Sequence, residues 1–138
     1  MSSPTEVVQQ AYAAFGRGDI PAILAALTDD IEWQFHASPA TGFPYGGKFT
    51  GKKAVETWFA TLAQNDDIQQ FEPREFLAGP NHVTVLGWER VRPLPDGSPF
   101  DSEWVHVFVL KGDKISRWIG TADTAARQAA ARPSPKPS

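Results

Sequence analysis

Four strand-like segments follow one another in the second half of this 138-residue chain. They cover about residues 67–78, 82–92, 101–110 and 114–121, and short segments rich in Gly, Pro, Asn and Asp separate them. This arrangement is typical of a β meander. Pro73 in the first segment indicates an edge strand or a bulge, because proline cannot donate a ladder hydrogen bond. The first half of the chain is then expected to cover one face of the sheet.

Three helices are predicted before and beside this meander. Ser3 begins a capping box, and an apolar stripe extends the first helix to about Phe15. The members of this stripe are Val8, Ala11, Tyr12 and Phe15. Asp19 can cap a second short helix, and a third is expected at about residues 52–64, where large apolar residues again form one stripe.

The remaining segments complete the order α-α-β-α-β-β-β-β. Residues 31–36 alternate apolar and polar as a half-buried strand does, and the Gly and Pro content of residues 37–51 predicts an irregular loop. The order indicates an α+β fold, with three helices on one face of a curved sheet. We expect one domain over residues 1–130 and a disordered, Pro-rich tail over residues 131–138. The Ala-rich helix expected after Asp123 has no large apolar residues, which predicts weak docking.

Composition and motifs exclude several classes of function. The absence of cysteine excludes disulfides and thiolate chemistry, and the formal net charge of −3 gives no basic surface for nucleic acid or for an anionic membrane. No apolar run approaches the ~20 residues of a membrane span and no secretory signal is evident, so the expected location is cytoplasmic. The three histidines are scattered and no nucleotide-binding glycine motif is present, so neither a metal nor a cofactor is expected.

The aromatic content is high, with five Trp, nine Phe and two Tyr. Each such side chain can bury about 150–250 Å², which indicates either a bulky core or an aromatic pocket. A two-residue turn that pairs Lys111 with Lys114 would separate these alternatives, because it fixes which side chains of the last hairpin share a face.

In that register His106 lies opposite Ile119 and Trp104 opposite Thr121. Trp118 then projects from the other, outer face of the sheet. The shared face mixes aromatic with polar groups, as small-molecule pockets do. Its members are Trp104, His106, Phe108, Ile119, Thr121 and Asp123.

Residues 12–19, 29–33, 49–52 and 105–115 together resemble the NTF2-like (nuclear transport factor 2) superfamily, and residues 118–128 are similar to the end of its SnoaL-like polyketide cyclase branch. The resemblance implies a cone, in which a curved antiparallel or mixed sheet wraps around the helices and encloses a deep apolar pocket. It also implies homodimers through the outer sheet face. The superfamily contains isomerases, cyclases, dehydratases, hydrolases and non-catalytic proteins, so the fold leaves the reaction open.

Comparison with ketosteroid isomerases, which belong to this superfamily, argues against that activity. Their tyrosine donor would fall at Ala11 and their carboxylate base at Phe35, and neither side chain transfers protons. The second tyrosine would fall at Phe59 and the protonated aspartate near His106. The paired aspartates and arginine of the epoxide hydrolases are not evident either.

The cyclase branch implies a carboxylate near the end of the last strand, here Asp123, and a nearby histidine, here His106. Asp123 is the candidate acid or base, and His106 is its helper, which donates a hydrogen bond to an enolate oxygen or exchanges protons. The expected substrate is hydrophobic and ketone-bearing or polycyclic. The residues expected to contact it are Trp33, Phe35, Tyr45, Phe59, Trp88, Trp104, Phe108, Ile119 and Thr121.

Each assignment has a structural alternative. Asp123 is equally suited to cap the helix that follows it, and His106 could be a hydrogen-bonded core residue. Glu89 and Arg90 are expected to form a solvated or dimer-facing charge pair. Three possibilities stay open: a cofactor-independent enzyme of isomerase, cyclase or dehydratase type, a non-catalytic module that binds a hydrophobic ligand or forms a dimer, and a domain whose pocket is only a packing remnant.

Overall fold

The computed structural model describes residues 3–38 and 43–131. The predicted tail lies outside these residues except for Ala131, as does the central part of the predicted loop. Within the described residues the helices are α1 (Pro4–Gly16), α2 (Ile20–Ala25), α3 (Lys52–Asn65) and α4 (Thr124–Ala131). The strands are β1 (Leu27–Phe35), β2 (Gly47–Thr50), β3 (Asp66–Ala78), β4 (His82–Pro93), β5 (Phe100–Lys111) and β6 (Lys114–Ala122).

The six strands form one curved, unclosed sheet in the order β2-β1-β6-β5-β4-β3. β1 runs parallel to β6, whereas every other neighbouring pair is antiparallel. β3 lies at the edge, and its register shifts between Pro73 and Glu75, as the proline indicated. The α+β class and the mixed sheet expected from the sequence are confirmed.

Local sequence signals account for the first three helices. The Ser3 hydroxyl accepts a hydrogen bond from the Glu6 backbone N–H at 3.2 Å, and an oxygen of Asp19 accepts one from Ala22 N–H at 3.2 Å. α3 follows Gly51, whose φ of 90° suits glycine. The large apolar residues of each helix face the sheet and form the core with it.

One strand was missing from the predicted order. Residues 47–50 of the expected loop form β2, which pairs antiparallel with β1 and sets Phe49 beside Trp33. A four-residue strand that begins with a glycine carries too little periodicity to be recognised from sequence, and it forms here by pairing with the edge of β1.

The last hairpin follows the predicted register only near its turn. Lys111 pairs with Lys114 and Leu110 with Ile115, but a β-bulge at Ser116 then shifts β6 by one residue. The Ser116 hydroxyl donates to a backbone carbonyl of β5 at 3.1 Å, which fixes the bulge.

The bulge reverses the faces of β6. Trp118 now lies beside Phe108 on the inner face, and Gly120 lies beside His106. The prediction that Ile119 and Thr121 share the face of His106 is wrong, and so is the outer placement of Trp118. The physical reason is the two-residue period of a strand, in which one extra residue moves every later side chain to the opposite face.

Two glycines let indole rings lie flat against the inner face of the sheet. Gly87 pairs with Trp104, and a Cβ at Gly87 would come within 2.2 Å of the Trp104 ring. A Cβ at Gly120 would come within 2.3 Å of the Trp118 ring. Both indoles are almost completely buried and pack against other aromatic rings, so a shift of either ring disturbs these contacts.

We therefore expect Gly120→Ala to destabilise the protein by about 1–3 kcal/mol, since overpacking forces a buried ring out of place. Urea unfolding followed by tryptophan fluorescence measures the effect. Gly16→Ala is the matched control, because no atom lies within 4 Å of its would-be Cβ. Equal unfolding midpoints for Gly120→Ala and the wild type would show that Trp118 does not lie on this glycine.

Candidate functional site

A cavity of about 90 Å³ lies between helices α1–α3 and the inner face of the sheet. It is smaller than the ~150 Å³ cavity that holds benzene in an engineered protein core. A small molecule therefore suits this space, whereas a polycyclic one would have to displace wall side chains. The residues predicted from sequence that line the cavity are Trp33, Phe35, Tyr45, Phe59, Trp104, His106 and Phe108.

Three residues predicted to contact substrate lie elsewhere. Ile119 and Thr121 face outward because of the bulge. Trp88 lies on the outer face of β4, where the guanidinium groups of Arg74 and Arg90 stand 5.2 and 5.7 Å from its ring centroid. Strand alternation is the sequence signal that would have placed Trp88 correctly, since its neighbours at positions 87 and 89 face inward.

Asp123 caps the helix that follows it, which is the structural alternative to a role in the pocket. One carboxylate oxygen accepts a hydrogen bond from the Ala126 backbone N–H at 2.9 Å, which caps α4. Its own backbone N–H donates to the Ser102 hydroxyl at 2.9 Å. Asp123 is not among the residues that line the cavity, so the structure does not bring it together with His106.

Glu89 is a cavity residue that the sequence interpretation missed. The prediction that Glu89 and Arg90 form a solvated charge pair is wrong for Glu89, because its side chain lines the cavity. Arg90 is exposed, as predicted, but its ion-pair partner is Asp101, at 2.8 Å. Alternation along β4 would have indicated this position, because Glu89 shares the parity, and so the face, of the buried residues Val83 and Val85.

Burial and the nearby charge of Asp66 raise the pKa of Glu89 to about 7. No hydrogen-bond partner of the Glu89 carboxyl group lies among residues 3–38 and 43–131. A carboxyl group with this pKa exists in both protonation states near neutral pH. It can therefore act as an acid or as a base on whatever occupies the cavity.

Asp66, which lines the cavity, forms a buried ion pair with Arg127. Arg127 of α4 donates from Nε and Nη2 to one oxygen of Asp66, at 3.1 and 2.7 Å. The Tyr45 hydroxyl donates to the other Asp66 oxygen. The Arg127 guanidinium also stands 4.7 Å from the Phe43 ring centroid.

This ion pair corrects the expectation of weak docking for α4. Arg127 is 6% exposed, so the helix docks through a buried charge rather than through apolar side chains. Removing one member of such a pair typically costs about 3–5 kcal/mol, because the other charge is left unpaired. No sequence pattern could have paired Arg127 with Asp66, which lies 61 positions away.

Tyr12 and His106 form a second polar pair in the cavity wall. The Tyr12 hydroxyl lies 2.8 Å from His106 Nδ1, and the imidazole stacks on Trp104 with 4.0 Å between ring centroids. Burial lowers the pKa of His106 to about 3 and raises the pKa of Tyr12 above its usual value. Both groups are therefore neutral at physiological pH. Sequence reasoning assigned Tyr12 only to the apolar stripe of α1, although a hydroxyl in that stripe needs a partner.

The described residues contain no group of acidic, histidine or cysteine side chains that could hold a metal ion. In that same part of the chain, no helix combines the length and apolar character needed to cross a membrane. The polar groups that line the cavity include the Glu89 carboxyl group and the hydrogen-bonded Tyr12–His106 pair.

Residues 8–118 match the sequence profile described as the SnoaL-like domain. The chain belongs to the SnoaL-like domain family. Comparison with curated proteins gave no match. The fold and the family predicted from sequence are both confirmed.

Solved structures of this SnoaL-like protein's relatives cover nearly the whole chain. An NTF2-like protein from Burkholderia xenovorans is 28% identical, with a TM-score of 0.83, and the match covers 96% of this chain and 99% of that one. Another, from Burkholderia thailandensis, is 25% identical with a TM-score of 0.86, over 96% and 100%. A protein with a ketosteroid isomerase-like fold from Catenulispora acidiphila, solved in complex with trimethylamine, is 18% identical with a TM-score of 0.75, over 94% of each chain. This last likeness concerns the fold alone.

The raised pKa of Glu89 predicts a pH-dependent stability. In the unfolded chain the pKa of a glutamate is about 4.3, so the native state binds the Glu89 proton more tightly than the unfolded state does. The protonated carboxyl group therefore favours the native state relative to the ionised one, and this contribution to the free energy of unfolding is lost as pH rises through about 7. We expect Glu89→Gln to be more stable than the wild type by about 1–3 kcal/mol at pH 8.5 and nearly equal to it at pH 4.5.

Urea unfolding at the two pH values measures this difference. Glu103→Gln on the exposed side of β5 is the control, and its stability should follow the wild type at both values. A Glu89→Gln variant less stable than the wild type at pH 8.5 would mean that the carboxylate is stabilised, not penalised, by its surroundings.

Proposed function

We propose that this SnoaL-like protein is a cofactor-independent enzyme that moves a proton on a small, largely apolar, ketone-bearing substrate, as an isomerase, cyclase or dehydratase does. The observation that carries the proposal is Glu89, a carboxyl group in an aromatic cavity with a pKa of about 7. A general acid or base is most effective when its pKa lies near the working pH.

In the proposed reaction the Glu89 carboxylate takes a proton from the carbon beside the carbonyl group. The electron pair of that C–H bond moves to the carbonyl oxygen, which becomes an enolate oxygen. His106 donates a hydrogen bond to this oxygen and stabilises its developing charge. Glu89, now protonated, returns the proton to carbon or to a leaving oxygen.

Asp66 supports this role without taking part in the transfer. Arg127 and Tyr45 occupy both of its oxygens, so Asp66 stays paired, and its charge helps to keep the pKa of Glu89 high. The aromatic wall excludes water, which strengthens these electrostatic effects. The assignment moves the base from Asp123, which caps α4, to the inner face of β4.

Hydrogen–deuterium exchange of small ketones in D₂O tests the proposal directly. We expect the wild type to accelerate α-proton exchange of acetone, butanone or cyclopentanone, followed by proton NMR. Glu89→Gln should lower the rate at least ~10²-fold, since a neutral amide cannot accept the proton. The wild-type rate should rise with pH around 7, because the base is the ionised form.

Two variants make this experiment specific. Asp123→Asn keeps a good N-cap, so the fold survives while the carboxylate is removed, and its rate should stay within about twofold of the wild type. Glu103→Gln controls for the loss of a surface charge. An unchanged rate in Glu89→Gln, or no exchange by the wild type, would overturn the proposal, and a rate lost only in Asp123→Asn would return the role to Asp123.

A second candidate function is non-catalytic ligand binding. Trp33 and Trp104 line the cavity, and their buried indole N–H groups find no acceptor in the described part of the chain. Buried donors without partners suit a ligand that carries acceptor oxygens. Tight binding of cyclopentanone without any proton exchange would favour this function.

We also propose a homodimer through the outer face of the sheet, in keeping with the resemblance. Apolar side chains of three adjacent strands lie together on this face: Leu86, Trp88, Val105, Val107 and Ile119. Val105 is 37% exposed, which is high for valine in a central strand. A partner's identical face would remove this surface from water.

Sedimentation equilibrium tests the dimer. We expect the wild type to sediment at twice the mass of the chain, and Val105→Glu to shift it to a monomer by placing a charge in the apolar face. Ala13→Glu, on the exposed side of α1, is the control and should leave the mass unchanged. A monomeric wild type at micromolar concentration would contradict the proposal.

A further inference from the structure

His106 has one partnered and one unpartnered nitrogen. The Tyr12 hydroxyl lies 2.8 Å from Nδ1. No hydrogen-bond partner of Nε2 lies among the described residues, and both side chains line the cavity. The location of the ring proton therefore decides whether the imidazole presents a donor or an acceptor to the cavity.

Two arrangements of the protons fit this contact. If the Tyr12 O–H donates to Nδ1, the ring proton sits on Nε2, and one donor is left for the cavity. If instead Nδ1–H donates to the Tyr12 oxygen, the hydroxyl proton and the Nε2 lone pair both lack partners. The first arrangement leaves fewer buried polar groups unpaired and is favoured for that reason.

The surroundings keep both members of the pair neutral. Burial lowers the pKa of His106 to about 3 and raises that of Tyr12. The other titratable groups that line the cavity are Tyr45, Asp66 and Glu89, and none of them is hydrogen-bonded to His106. Arg127 is engaged with Asp66. Among the titratable side chains that line the cavity, Tyr12 is thus the one in hydrogen-bond contact with His106.

We propose that Tyr12 is a positioning residue that fixes the ring proton of His106 on Nε2, and that this N–H selects a cavity ligand by its acceptor oxygen. The ligand class, a small ketone, rests on the proposed function. Tyr12 acts through His106 and does not itself touch the reacting atoms.

A neutral imidazole with its proton on Nε2 suits a ligand oxygen that gains negative charge during the reaction. A neutral imidazole N–H binds the uncharged carbonyl oxygen modestly and the enolate oxygen more strongly, because the hydrogen bond becomes charge-assisted. A protonated imidazole in this apolar wall would need a counter-ion, and the described residues place none beside it. The same N–H has nothing to bind on a hydrocarbon of equal shape.

Nitrogen-15 NMR of the ligand-free protein tests the tautomer. Two-bond correlations should show His106 with Nε2 protonated and Nδ1 unprotonated in the wild type. In Tyr12→Phe this preference should be lost, so that the two nitrogens move toward each other in chemical shift. The exposed His36 and His82 provide reference signals in the same spectra.

Tyr45→Phe is the matched control, because it removes the chain's other phenolic hydroxyl, which bonds Asp66 and not His106. The His106 shifts should be the same in this variant as in the wild type. A wild-type His106 protonated on Nδ1, or a tautomer unchanged in Tyr12→Phe, would overturn the inference. If Tyr12→Phe does not fold, the wild-type spectrum alone still distinguishes the two tautomers.

Selection by the acceptor oxygen is tested by binding. The wild type should bind cyclopentanone about 10-fold more tightly than methylenecyclopentane, in which a CH₂ group replaces the oxygen, and Tyr12→Phe should lose most of this preference. Equal affinity of the wild type for both probes would overturn the selection. Glu89→Gln should keep the wild-type tautomer of His106 even though its α-proton exchange is lost. Failure of the proposed reaction therefore shows in the exchange rates, and failure of this inference shows in the His106 spectra.

Discussion

The β-bulge at Ser116 sets which side chains of β6 face the cavity, and the aromatic wall depends on it. With the bulge, Trp118 stacks on Trp33 at 4.3 Å between ring centroids, and Gly120 lies beside His106. Without it, Ile119 and Thr121 would occupy these inner positions and the indole would face outward. The glycine then matters as much as the tryptophan, because only a residue without a Cβ leaves room for the ring against the strand.

In the aromatic wall, burial shifts the pKa values of Glu89 and His106 in opposite directions. Burial disfavours the charged form of any ionisable side chain, so it raises the pKa of the Glu89 carboxyl group and lowers that of the His106 imidazole. The result is a carboxyl group with a pKa near neutrality and a neutral imidazole in the wall of one cavity. Asp66 differs from Glu89 in its partners, because Arg127 and Tyr45 bind both of its oxygens. Asp66 and Glu89 carry the same chemical group, so their different roles follow from their different hydrogen-bond partners.

Much of the fold was predictable because its signals are local. The capping box at Ser3, the apolar stripes of α1 and α3, and the turn glycines between strands each act over a few residues, and the helices and meander strands begin and end close to where these signals place them. Prediction of the candidate site succeeded where the periodicity of one element sufficed, as for Trp33 on β1, Phe59 on α3 and His106 on β5. It failed across the bulge, and it failed for Asp123, where cap and pocket residue look the same in sequence.

The sequence by itself determined the α+β class and an aromatic face on β5, because these depend on short-range periodicity, and its motifs carried the resemblance to the family. Only the tertiary structure decided that Trp118 faces inward, that Arg127 of α4 pairs with Asp66, and that Tyr12 meets His106 94 positions away. It also placed Glu89 in the wall, where its pKa is raised. These contacts depend on strand register and on the closing of distant segments around one cavity, and a single inserted residue is enough to change them.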